Sequence, residues 1–152
     1  MISTGDDGFL VEIRKIWPEG AWPCFSPDGR ELAFTGLLDQ PHNVLMIMPL
    51  DGEGEPRVVS PPQMTAKRPA WLSSGNEIAF NRDQLGIWTL DLTTHEVAPF
   101  LTEAPPDAST FFHPCAYPGE RAVVVVAFRD TARGREGVLY KLAPARPNPD
   151  CN

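Results

Sequence analysis

Few side chains in this 152-residue sequence are of a type and spacing that would do chemistry. Its histidines are His42, His95 and His113, and its cysteines Cys24, Cys115 and Cys151. His113 and Cys115 sit at alternate positions, which in a strand face the same way and would offer two ligands to a metal. No third ligand stands near them, so no metal site is expected. His42 falls in the segment Gln40-Pro41-His42-Asn43 and His95 in a turn, and both are expected to be solvated. Lys67 and Arg68 form a basic pair in an acidic chain, suited to meet a carboxylate or a phosphate. A Gly-x-Ser-x-Gly elbow, a Walker loop, a Gly-x-Gly-x-x-Gly turn and a His-Glu-x-x-His helix are all missing. No catalytic residue and no cofactor are therefore assigned, and a binding protein is favoured over an enzyme.

The charge balance narrows the partners. Thirteen Lys and Arg against 20 Asp and Glu give a net charge of −7. That charge repels phosphate backbones and gains nothing from anionic lipid, so neither nucleic acid nor a membrane is expected as partner. The longest apolar run, 122–128, is far short of the roughly 20 residues of a spanning helix. The N-terminus MISTGDDGFL is acidic where a signal peptide is basic. Three cysteines do not make a disulfide framework. These features point to a cytoplasmic setting, or a periplasmic one if a signal segment has been removed.

The elements that must carry these residues are strands. Seventeen prolines and 12 glycines punctuate the chain too often for long helices. The punctuation repeats. PCFSPDGRELAFTG from Pro23 is followed by PAWLSSGNEIAFNR from Pro69 and PCAYPGERAVVVVAF from Pro114, the last read with a turn one residue shorter. Each copy has an apolar or aromatic residue near the proline, a glycine turn and an apolar strand. A second apolar element follows each, from Val44, Gly86 and Gly137. Further short strands follow at Pro56–Ser60 and Glu96–Leu101. Four short antiparallel strands, a to d, in 40 to 45 residues are the pattern of a β-propeller blade. In the first copy Pro27 pre-sets φ, Asp28 bonds its own backbone, and Gly29 takes a positive φ. Asp28 is thus read as a turn residue and not as a catalytic acid.

FSPDGRELAF, followed by a short strand, resembles the WD40-like repeat of TolB-type propellers. It is also similar to the propeller repeats of prolyl oligopeptidase-like enzymes, whose catalytic domain has no counterpart here. The resemblance covers most of 21–143. The expected fold is all-β, with three blades: blade 1 about 21–60, blade 2 about 68–101, and blade 3 about 111–143 without its fourth strand. Residues 144–152 are read as a tail. Residues 8–14 form a surplus strand, with Phe9, Val11 and Ile13 alternating with Leu10, Glu12 and Arg14. Three blades are half of a six-bladed ring. A homodimer is expected to complete it, with Phe9–Arg14 pairing to strand c of the partner's blade 3 and with the faces of blades 1 and 3 in contact. An isolated half-ring would expose an apolar face at each end. A fragment of a longer propeller is the alternative.

The resemblance also implies where side chains gather. In such propellers strand a is innermost, and the residue before each repeat proline, Trp22, Arg68 or His113, starts it near the channel mouth. The long connections 60–68 and 102–113 lie on the same rim, which adds Lys67 and Phe112. Trp71 is expected in the core between blades, as are Cys24 and Cys115 at an equivalent small position, while Cys151 is expected to be exposed. The expected function is a non-catalytic module presenting this rim to a protein or peptide. The alternative is a small-molecule or carbohydrate site in the channel, of the lyase-like kind that six-bladed relatives support.

Overall fold

The computed structural model describes residues 2–4, 10–12, 19–36, 42–51, 54–82, 86–101, 108 and 110–144. All its regular elements are strands, and among the described residues no helix is long and apolar enough to cross a membrane. β1 (Ile2–Thr4) and β2 (Leu10–Glu12) pair antiparallel with each other. The surplus strand therefore exists over Leu10–Glu12, while Phe9, Ile13 and Arg14 lie outside the described residues.

Three antiparallel meanders follow. Blade 1 is β3 (Ala21–Phe25), β4 (Glu31–Gly36), β5 (Val44–Pro49) and β6 (Arg57–Val58). Blade 2 is β7 (Lys67–Trp71), β8 (Glu77–Asn81), β9 (Ile87–Asp91) and β10 (Val97–Leu101). Blade 3 has three strands, β11 (Thr110–Ala116), β12 (Val123–Thr131) and β13 (Gly134–Leu142). β13 starts three residues earlier than the expected Gly137, because Gly134, at φ 118°, closes a tight hairpin with Thr131.

The turns between first and second strands repeat closely. Ser26, Leu72 and Tyr117 each donate their N–H to the carbonyl five residues on, at 2.9 Å. The third turn is thus as long as the other two, contrary to the shorter turn expected. Only its glycine has moved: Gly119 comes two residues after Tyr117, while Gly29 and Gly75 come three after Ser26 and Leu72, all with positive φ. Asp28 is a turn residue as read. Its Oδ1 accepts the Ser26 hydroxyl at 2.7 Å and the Arg30 N–H at 3.1 Å. The Ser26 bond first, then the Arg30 bond, holds its carboxyl below the usual range.

Each first strand also carries a bulge at its proline. The ladder shifts between Ala21 and Cys24, between Lys67 and Ala70, and between Phe112 and Cys115. Proline has no N–H to give a ladder, so a strand holding one must skip it. The residue before the proline absorbs the extra length in a left-handed conformation: Trp22 at φ 53°, Arg68 at 54° and His113 at 54°.

Alternation then builds the core between blades. Ala33, Leu45 and Ile47 of blade 1 pack with Trp71, Ile78, Phe80 and Leu90 of blade 2. Ala70, Leu72, Ala79 and Ile87 on the other side of blade 2 pack with Val123 and Val125 of blade 3. Trp71 is buried as expected, and its indole N–H bonds the Gly75 carbonyl at 3.0 Å. The expectation of an exposed apolar face at each end holds for only one. On the outer side of blade 1, Leu32, Phe34, Val44, Met46 and Met48 are all buried, and Phe25 and Val58, the latter paired with Met46, are exposed. On the outer side of blade 3, Val126 is half-buried and its cross-strand neighbour Leu139 is 70% exposed.

Candidate functional site

The three left-handed residues bring the site together. β7 lies against β3 on one side and β11 on the other, so the bulges of the three blades stand side by side. Side chains of the preceding blade fix their backbones. The Arg68 N–H donates to Thr35 Oγ1 at 3.1 Å, and the His113 N–H donates to Asn81 Oδ1 at 3.2 Å. Thr35 and Asn81 are equivalent: each lies across its blade's first strand just before the bulge, opposite Ala21 and Lys67. The same place in blade 3, opposite Phe112, is Val126, which has no acceptor.

Arg68 is the centre of the cluster. Its guanidinium carbon lies 4.7 Å from the Trp22 ring centroid and 5.6 Å from that of Phe112, so rings from both flanking blades contact it. Its Nε is buried and meets no hydrogen-bond acceptor among the described residues. Among the described residues it has no ion-pair partner. His113 stands beside it, edge-on to Phe112 at 6.3 Å. Partial burial, and then the neighbouring Arg68 charge, push the His113 imidazole below its ordinary pKa, so the ring is neutral at neutral pH. Asn81 is 2% exposed, and its Nδ2 is a second buried donor with no acceptor among the described residues.

Four of the five side chains expected on this rim, Trp22, Arg68, Phe112 and His113, thus form one contact chain. Lys67 is placed at the start of β7, half-buried and opposite Asn81, outside the ring stack. Thr35 and Asn81 were not expected to take part. Both are polar residues closing the apolar β4 and β8 at one repeat position, and that is the sequence signal for them. A cavity of about 350 Å³ adjoins Thr35, lined also by Glu19, Gly20, Ala21, Gly36 and Asn43.

The other candidates separate. Cys24 is half-buried, and its Sγ accepts the Trp71 N–H at 3.3 Å; burial raises its pKa. The equivalent Cys115 is exposed, contrary to expectation, because no blade follows blade 3 among the described residues to cover it. His42 is half-buried where solvation was expected, whereas His95 is exposed. No group of three potential metal ligands occurs among the described residues. Cys151 lies outside them.

No family model and no curated protein matches the sequence. Solved structures do match the fold. A TolB-like protein of Agrobacterium tumefaciens aligns over 76% of this chain at 20% identity, with a TM-score of 0.62. TolB of Acinetobacter baumannii aligns over 80% at 16% identity and a TM-score of 0.59. An oligogalacturonate lyase of Vibrio parahaemolyticus aligns over 70% at 16% identity and a TM-score of 0.54. The chain spans 40%, 29% and 28% of their respective lengths. Identities this low bear on architecture and not on activity. The chain therefore has the fold of one part of a β-propeller of the type seen in TolB.

Proposed function

We propose that this chain is a non-catalytic binding module whose rim, formed by Trp22, Arg68, Phe112 and His113, seats a protein or peptide partner. One observation carries the reading: Arg68 is held between two aromatic rings with none of its charge matched by a carboxylate among the described residues. Tryptophan, other aromatics and arginine in a fixed, partly desolvated cluster are the residues that dominate interface energies. The left-handed backbone at Arg68, tied to Thr35, orders the side chain before a partner arrives, which lowers the entropic cost of binding. The ring is completed by a second copy of the chain, with Leu10–Glu12 of each lying on the free edge of β13 in the other.

Panning a displayed peptide library against the full-length chain tests the rim. Selected peptides are expected to lose about tenfold or more in affinity on Arg68→Ala or Phe112→Ala, the scale of an interface hot spot. Arg57→Ala, on the outer strand of blade 1, is expected to leave affinity unchanged. Peptides that bind all three variants equally would end the rim reading. The cavity beside Thr35 favours a second reading, a small-molecule or carbohydrate site at the channel, and binding of free saccharides abolished by filling that cavity with Ala21→Leu would support it instead.

A further inference from the structure

We infer that a second copy of this chain seats its β3 on the open side of β11, with the Phe25 N–H of one copy donated to Cys115 Sγ of the other. The inference rests on ring closure by a second copy and names the contact that makes it. The chain holds an example of that contact within itself. At the junction of blades 1 and 2, Cys24 Sγ accepts the Trp71 N–H at 3.3 Å. Cys115 occupies the place of Cys24, opposite Val124 as Cys24 is opposite Ala33. Phe25 occupies the place of Trp71, opposite Leu32 as Trp71 is opposite Ile78. Both members of this second pair are open: Cys115 is exposed, and Phe25 is 66% exposed against 3% for Trp71.

Both groups are also set for the bond. Successive N–H groups of an antiparallel strand point to opposite edges. The Ser26 N–H bonds the Glu31 carbonyl of its own blade at 2.9 Å, so the Phe25 N–H points off the free edge of β3, as the Trp71 N–H points off β7. The Cys24 thiol donates to the Phe25 carbonyl at 3.6 Å and the Cys115 thiol to the Ala116 carbonyl at 4.0 Å, so the two sulfurs are turned alike.

The apolar surroundings correspond. Leu45, in the core with Trp71, is fully buried, while Leu139 in the same place of blade 3 is 70% exposed; Thr35 pairs with Leu45 and Val126 with Leu139. Lys141 stands where Ile47 does, but its ammonium is drawn to the Tyr117 ring and Glu120, which leaves its methylene stem for the face. In blade 1, β4 and β5 are largely buried, whereas Ala21, Trp22, Pro23 and Phe25 of β3 are exposed, so the contact forms at the innermost strands. It continues the stacking that joins β3 to β7 and β7 to β11. It also completes the rim, because Trp22 of the second copy then follows His113.

The test is alkylation of the full-length chain by N-ethylmaleimide, read at each cysteine by mass spectrometry. The same chain in urea is the reference, and light scattering is run on the same samples. In the dimer, Cys115 is expected to be protected relative to urea at least as strongly as Cys24. Dilution to a 16.8 kDa monomer is expected to release Cys115 and not Cys24. Cys115→Ala is expected to weaken the dimer by about fivefold over its two junctions, the effect of two weak hydrogen bonds, and Cys115→Ser to restore part of that. A dimer whose Cys115 reacts as fast as in urea, or one unchanged by Cys115→Ala, would overturn the inference. If Val126→Thr still tightens that dimer, the ring stands without this contact. A chain that is monomeric at every concentration would remove ring and contact together.

Discussion

The Thr35 hydroxyl accepts the Arg68 backbone N–H at 3.1 Å, across the junction between blades 1 and 2. Asn81 does the same for His113 across the next junction at 3.2 Å. Structure and site are therefore coupled by one bond per junction. The bulge that lets a proline sit in the first strand pushes an N–H out of its own ladder, and the preceding blade answers it.

Removing the acceptor should cost stability. Thr35→Val keeps the shape and deletes the hydroxyl, leaving the Arg68 N–H without its partner. The loss is expected to be about 1–3 kcal/mol, the usual cost of stranding a donor away from water. Asn81→Val should behave alike. Urea unfolding monitored by tryptophan fluorescence reads both, and an unchanged midpoint in both would show that the junction bonds carry no stability.

The turn glycines give a cleaner test of strain. A Cβ at Gly29 or Gly75 would meet nothing within 4 Å, so only backbone conformation opposes a side chain there. Their φ values of 70° and 81° lie where β-branched residues are disfavoured. Gly29→Val is expected to lose on the order of 1–3 kcal/mol. Gly29→Asn should lose less, since asparagine tolerates this region. Equal thermal stability of the two variants would contradict a conformational cause.

His113 makes the site pH-sensitive in a defined direction. Its pKa is lowered in the folded chain by desolvation first and by the Arg68 charge second. The unfolded chain, with the ordinary value of 6.5, then binds the proton before the folded chain does as pH falls. Stability from this group is complete above that value and declines as pH drops through it toward the folded pKa. An NMR titration of the imidazole should show a midpoint below 6.5, and Arg68→Ala should raise it. A midpoint that does not move in Arg68→Ala would remove the electrostatic contact.

Much of this was legible in the residues. The proline spacing and the Gly29 and Gly75 turns mark the meanders, because turn geometry is local and read directly from residue type. Trp22, Arg68 and His113 were legible as equivalents because each precedes a repeat proline. Their left-handed backbones and the stacking of Arg68 were not, since both arise where neighbouring blades meet. Cys24 and Cys115 show the same limit. One repeat position gives one half-buried and one exposed thiol, and the difference lies in whether a following blade covers it.

The assembly provides the last prediction. A second copy that closes the ring would place blade 3 of one chain before blade 1 of the other. Val126 would then face the bulge at Trp22, where the two junctions within the chain use Thr35 and Asn81. Apolar contact through Leu139 and Phe25, both exposed, and strand pairing along β13 would have to hold this junction without the hydrogen bond. Light scattering of the full-length chain should give twice 16.8 kDa. Val126→Thr should supply the missing acceptor at both junctions and tighten the dimer by roughly fivefold per junction, the equivalent of about 1 kcal/mol for a hydrogen bond. A chain that stays at 16.8 kDa at high concentration would exclude the ring. A dimer indifferent to Val126→Thr would show that the two chains meet through another surface.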